Sequence, residues 1–237
     1  IIKNKYNNKL YTYQGKTPIK LEVDYRRFYI DEDGYIQGAG IIHEPISSIE
    51  RDKTNIKHLA IVLHRTAGSN IDGAIDAFKS RGFGTHFIIG RDGQILQLAS
   101  LYKYTNHIGY IKSKAFDERT CESNEYSILN KLYNMKNSAN KYKQIYNHER
   151  NKKYPIRYPI NGEAIGIEMV AKCNSYRDFS NQQTIGNWQE ITNEQRVSVT
   201  FLINILKNIF LVTDYDIYGH DQVSYHKVIG EGKGIYP

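Results

Sequence analysis

The residues best equipped for chemistry in this chain are histidines and carboxylates at the ends or on the faces of apolar segments. There are eight histidines. His64 closes the apolar run 59–64, and His220 follows the short run 216–219. An imidazole at the C-terminal end of a strand in an α/β sheet stands where binding sites collect. Taken singly, either one also suits a structural hydrogen-bonding role. Glu168 is set apart by its neighbours. Ile165, Ile167 and Met169 share one face of a strand, so Gly166 and Glu168 share the other. A carboxylate buried on that face needs a partner.

The elements that must position these groups alternate between strand and helix. Residues 59–64, 86–90, 94–98, 164–170 and 216–219 read as strands, with Arg91-Asp92-Gly93 as a hairpin turn. Residues 70–81 place Ile71, Ala74, Ile75 and Phe78 at helical spacing, and Gly82 stops that helix. Thr192 and Gln195 fit a capping box opening a second helix to about residue 210. This helix is apolar on most faces and so largely buried. The pattern predicts an α/β fold: a single central mixed β-sheet flanked by helices, with an N-terminal extension and a long insertion. Residues 1–52 form the extension, packed as short strands and loops on the core. Residues 53–237 form the main domain. The insertion, about 111–160, is rich in Lys, Asn and Tyr, with a polar helix over 127–146, and reads as a solvated excursion or a substrate-binding lid.

Composition narrows the class. With 237 residues, 40% of them hydrophobic, the chain can bury one sizeable core. Twenty tyrosines and eight phenylalanines argue against disorder. Two cysteines, Cys121 and Cys173, exclude a disulfide-stapled scaffold and a Cys-rich zinc ribbon, and leave open whether they pair. No apolar run reaches the roughly 18 residues of a membrane span. The polar start, residues 1–10, has no apolar core of a signal peptide. A formal charge of +7 favours an anionic partner. No RNA-binding pattern accompanies it, so nucleic acid is not the expected partner.

Five segments in order say more: VLHRTAG at 62–68, GTHFIIGRDGQILQL at 84–98, NHIG at 106–109, AIGIEMV at 164–170 and YGHDQVS at 218–224. Together they resemble the zinc-dependent N-acetylmuramoyl-L-alanine amidases, the type 2 amidase and peptidoglycan recognition protein superfamily. The resemblance covers roughly residues 58–110 and 160–235. It implies Zn²⁺ as cofactor, with His64 and His220 as ligands and a third, acidic ligand shortly after His220. The tail HKVIGEGKG at 226–234 departs from the family's usual pattern. Glu231 is the candidate there, His226 its rival, and Asp221 is too close to His220. Two imidazoles and a carboxylate leave a fourth position open, the arrangement of a catalytic zinc.

The resemblance also implies a base. Where some members carry a Tyr before the strand histidine, this chain has Thr85; others use the Glu that Glu168 matches. Lys227, or less well Lys233, is the candidate cation for a developing oxyanion. His107 and Thr85 fall where members contact substrate, and His86 reads as structural. The implied activity is hydrolysis of the amide between N-acetylmuramic acid and L-alanine of the stem peptide, with peptidoglycan as partner. A non-catalytic peptidoglycan-binding receptor on the same scaffold is the alternative. The setting would be the cell wall or periplasm, reached by export, phage release or a secretion system. An antibacterial effector would also have a cognate immunity or inhibitor protein.

Overall fold

The computed structural model describes residues 9–14, 17–22, 28–52, 56–178, 183–225 and 227–236. The N-terminal segment contributes an antiparallel hairpin, β1 (Lys9–Gln14) with β2 (Thr17–Glu22), and four two-residue strands: β3 (Tyr29–Ile30), β4 (Ile36–Gln37), β5 (Ile42–His43) and β6 (Glu50–Arg51). The core follows with β7 (Ala60–Ala67), α1 (Ile71–Arg81), β8 (Phe87–Ile89), β9 (Ile95–Gln97) and β10 (Tyr104–Thr105). The insertion carries α2 (Lys114–Asp117), α3 (Ser123–Tyr133) and α4 (Ser138–Glu149). The chain closes with β11 (Ala164–Asp178), β12 (Gln183–Trp188), α5 (Asn193–Phe210), β13 (Ile217–Gly219) and the short α6 (His220–Val223).

One mixed sheet organises the molecule, in the order β13-β7-β11-β8-β9-β5, with β12 pairing the outer part of β11. The β13, β7, β11 and β8 strands run parallel, and β9 turns back antiparallel through the Arg91-Asp92-Gly93 hairpin. The short β5 adds to β9, so the N-terminal segment supplies one edge of the central sheet. Alternation along the strands decides which face does what. Ile61 and Leu63 of β7, and Ile165, Ile167 and Met169 of β11, are buried against Val199, Leu202, Ile203 and Leu206 of α5. On the other face, Ile88, Leu96 and Val170 pack with Ile75 and Phe78 of α1. His64 and Glu168 also project from that second face. They are register partners on adjacent parallel strands.

The helix ends follow from local chemistry. The Asn70 side chain accepts from the Gly73 amide at 2.8 Å to open α1, and Gly82 closes it at φ +67°. Thr192 and Gln195 form the expected capping box. The buried Gln195 amide also donates to the Val170 carbonyl at 2.9 Å, tying α5 to β11.

Three expectations are corrected. The single helix over 127–146 is two helices, because Asn137 caps a new start by accepting from the Asn140 amide. The strand carrying His64 does not end there but continues to Ala67. The strand from residue 164 runs on to Asp178 and turns back as β12, where polar residues hide the strand pattern. Cys121 and Cys173 are both free thiols.

Candidate active site

Three side chains converge where the parallel strands end. His64 comes from β7, His220 from the first residue after β13, and Glu231 from a turn near the C-terminus. All are nearly inaccessible. Glu231 Oε1 lies 2.8 Å from His220 Nδ1 and 3.6 Å from His64 Nδ1. The two imidazole centroids are 4.1 Å apart.

The far side of each ring fixes which nitrogen is free. His220 Nε2 lies 3.1 Å from the Ile108 carbonyl, which can only accept, so Nε2 carries a proton; Nδ1 is the nitrogen that faces Glu231, donating to it in the absence of an ion and offering a lone pair to an ion that displaces its proton. The same reasoning passes through His107. His107 Nε2 donates to the Ala164 carbonyl at 3.3 Å, leaving its Nδ1 to accept from His64 Nε2 at 3.0 Å. His64 Nδ1 is then a lone pair. His64 Nδ1, His220 Nδ1 and a Glu231 oxygen are aimed at one point, and each imidazole is held from behind, as metal-ligating histidines are. This donor set fits a divalent ion of the zinc type.

Electrostatics agree with that geometry. Burial alone would raise the Glu231 carboxyl; the hydrogen bond from His220, with the His64 ring beside it, overcomes burial and holds it well below the usual carboxylate range. Burial, helped by the neighbouring His220, pulls His64 down to about 3, so its ring is neutral. Glu168 is the opposite case. Burial, then the charge of Glu231, pushes it up to about 8, with Lys227 pulling the other way. Burial lowers the Lys227 ammonium, with Glu231 and Glu168 opposing.

These groups line a cleft of about 480 Å³. One wall is a face of α1 built from Gly73, Ala74, Ala77 and Arg81, which leaves room beside Glu168, Lys227 and the histidines. His107 reaches its place because Gly166 has no side chain; a Cβ there would lie 2.8 Å from His107 Nδ1.

The other sequence candidates sort by position. His107 and Thr85 border the cleft, but their polar atoms are committed within the protein. Both His107 ring nitrogens are bonded, and the Thr85 hydroxyl donates to the Phe87 carbonyl at 2.9 Å. Both border the cleft with these bonds in place. His86 lies behind the site and bridges the Gly166 amide and the Lys103 carbonyl. Lys233 is not among the cleft residues, and His226 lies outside the described residues. Asn161 was missed. Its side-chain oxygen accepts from the His107 and Ile108 amides at 3.1 and 2.8 Å, holding the segment that supports both histidines.

The profile of the N-acetylmuramoyl-L-alanine amidase family matches residues 54–233. This chain belongs to that family. Among solved structures, the amidase is similar to a selenomethionine derivative of AmpD at 15% identity and TM-score 0.49, covering 85% of this chain and 92% of that one. It is also similar to the N-acetylmuramoyl-L-alanine amidase LysC from Clostridium intestinale URNW at 16% identity and TM-score 0.42, covering 80% and 89%. A third, AmiD from E. coli, solved with anhydro-N-acetylmuramic acid-L-Ala-D-γ-Glu-L-Lys, matches at 10% identity and TM-score 0.44, covering 84% of this chain and 58% of that one. A comparison with curated proteins gives no match. Among the described residues, no helix of the amidase is long and apolar enough to cross a membrane.

Proposed function

We propose that this amidase is zinc-dependent and cleaves the bond between the lactyl carbonyl of N-acetylmuramic acid and the amine of L-alanine in peptidoglycan, acting at the cell wall or in the periplasm. The observation that carries this reading is the convergence of His64 Nδ1, His220 Nδ1 and Glu231 Oε1 beside the carboxylate of Glu168 in one cleft. A zinc ion held by those three atoms supplies a Lewis acid that activates water and polarises the amide carbonyl. Glu168 takes the proton from the attacking water on its carboxylate, which a raised pKa suits near neutral pH. It then delivers that proton to the alanine nitrogen as the C–N bond breaks, releasing a lactyl carboxylate and a free amine. Lys227, facing the same cleft, donates a hydrogen bond to the carbonyl oxygen as charge develops on it. The α5-packed face keeps the sheet rigid beneath these groups.

A complete set of three donors supports catalysis over the receptor alternative, since a receptor has no need of an ion-activating site. Mass analysis of digested peptidoglycan, with and without chelator, tests the reading. The expected result is release of stem peptides with a free alanine N-terminus, abolished by chelator and restored by zinc. Binding to peptidoglycan with no released peptide, in protein that retains zinc, would establish the receptor instead.

A further inference from the structure

Glu231 stands on neither strand nor helix. It sits in two successive turns, Glu231 N to Val228 O and Lys233 N to Gly230 O, with Gly230 at φ +88°. A ligand on such a turn keeps its aim only if the backbone beneath it is held. Two side chains do this, and each directly follows a histidine of the site. The Arg65 guanidinium donates through Nη1 to the carbonyls of Gly230 and Glu231 at 2.8 and 2.6 Å, and through Nη2 to that of Lys233 at 2.8 Å. It lies 5.7 Å from the Trp188 ring centroid and is 7% exposed. The Asp221 carboxylate takes the opposite groups, accepting from the amides of Gly230 and Gly232 at 2.8 and 2.9 Å. Gly219, just before His220, packs directly on Gly232; a Cβ on Gly232 would lie 2.1 Å from the Gly219 Cα.

We propose that Arg65 and Asp221 are positioning residues that clamp the 230–233 turn from its carbonyl and amide sides and so set the aim of Glu231 at the metal position. The inference rests on the metal-site reading above. It accounts for how a tail that departs from the family pattern still presents a carboxylate: each histidine's sequence neighbour reaches out and fixes the third donor. Only a planar fork spans three carbonyls, so lysine is a poor substitute for Arg65.

The test is a competition titration of metal-free full-length protein with a chromophoric zinc chelator, run on wild type, R65K, D221N, E231A and R65K/E231A, with far-UV circular dichroism before metal is added. R65K and D221N should keep the wild-type spectrum and bind zinc about 10–100-fold more weakly, the range for groups behind a ligand. Co²⁺-loaded R65K should show an altered visible spectrum. On the E231A background, R65K should cost little more, because the ligand it aims is gone. Wild-type affinity in both single variants, full additivity with E231A, or unfolding of both before metal addition would overturn the proposal. Wild-type protein that binds no zinc would instead overturn the proposed function, so the two failures read differently.

Discussion

Two clusters in this molecule carry the same residue types and behave differently. In the first, His64, His220 and Glu231 bring donor atoms to one point. In the second, between α3 and α4, Glu125, His148 and Glu149 do the same. The second already contains a cation. Lys152 Nζ bonds Glu149 Oε1 at 2.7 Å and also pairs with Glu125. Its hydrogen bond holds the Glu125 carboxyl below its ordinary value. The ring at that cluster stands 3.6 Å from Glu125 and 3.9 Å from Glu149, with Nε2 unbonded among the described residues. In the first cluster the contacts of Glu231 are with two histidine rings, and burial keeps that of His64 neutral. Residue type and proximity therefore do not make a metal site. What sets the proposed site apart is that its rings are held from behind and, among the described residues, no lysine fills the place left to an incoming ion.

The contrast can be broken by mutation. The largest expected effect is loss of turnover in His220→Ala, well beyond the about 10–100-fold cost of disturbing a group behind a ligand; His148→Ala should leave turnover unchanged. A steady-state assay on soluble muropeptides measures both. Glu168→Gln should retain zinc and lose about 10²–10⁴ in kcat, the usual share of a general base. Near-wild-type kcat in that variant would remove the base.

The same carboxyl should be visible in the stability of metal-free protein. Burial raises the folded pKa of Glu168 from 4.5 to about 8. The folded state then holds this proton more tightly than the unfolded state. The stability linked to it is complete below 4.5 and is lost as pH rises toward 8, an effect on the order of 5 kcal/mol. Glu168→Gln should flatten that slope in urea titrations at pH 4, 6 and 8.5. An unchanged slope would place the titration elsewhere. Smaller still, Lys152→Met should cost about 2 kcal/mol by leaving the buried Glu149 carboxylate without its partly exposed donor. Lys152→Met/Glu149→Gln should recover much of that in a thermal melt.

Much of this arrangement is legible in the sequence, for identifiable reasons. The alternation of Ile165, Ile167 and Met169 forces Glu168 to the opposite face, and the structure places it there in register with His64. The capping pairs at Asn70 and Thr192 act within three residues, so local pattern suffices. What escapes is what acts over distance through backbone atoms. Arg65 binds carbonyls 165 to 168 residues away, and carbonyls leave no signature in side-chain pattern. Asn161 likewise works through backbone amides more than 50 residues off. His107 stands in a segment that suggests substrate contact, yet its ring is taken by His64 and Ala164, a role set by the absent side chain of Gly166.

Metal content of purified protein, measured by mass spectrometry on wild type, His64→Ala and Glu149→Gln side by side, bears most directly on where the ion sits. One zinc per chain in wild type and Glu149→Gln, with none in His64→Ala, is the result expected here. Zinc retained by His64→Ala and lost from Glu149→Gln would contradict it.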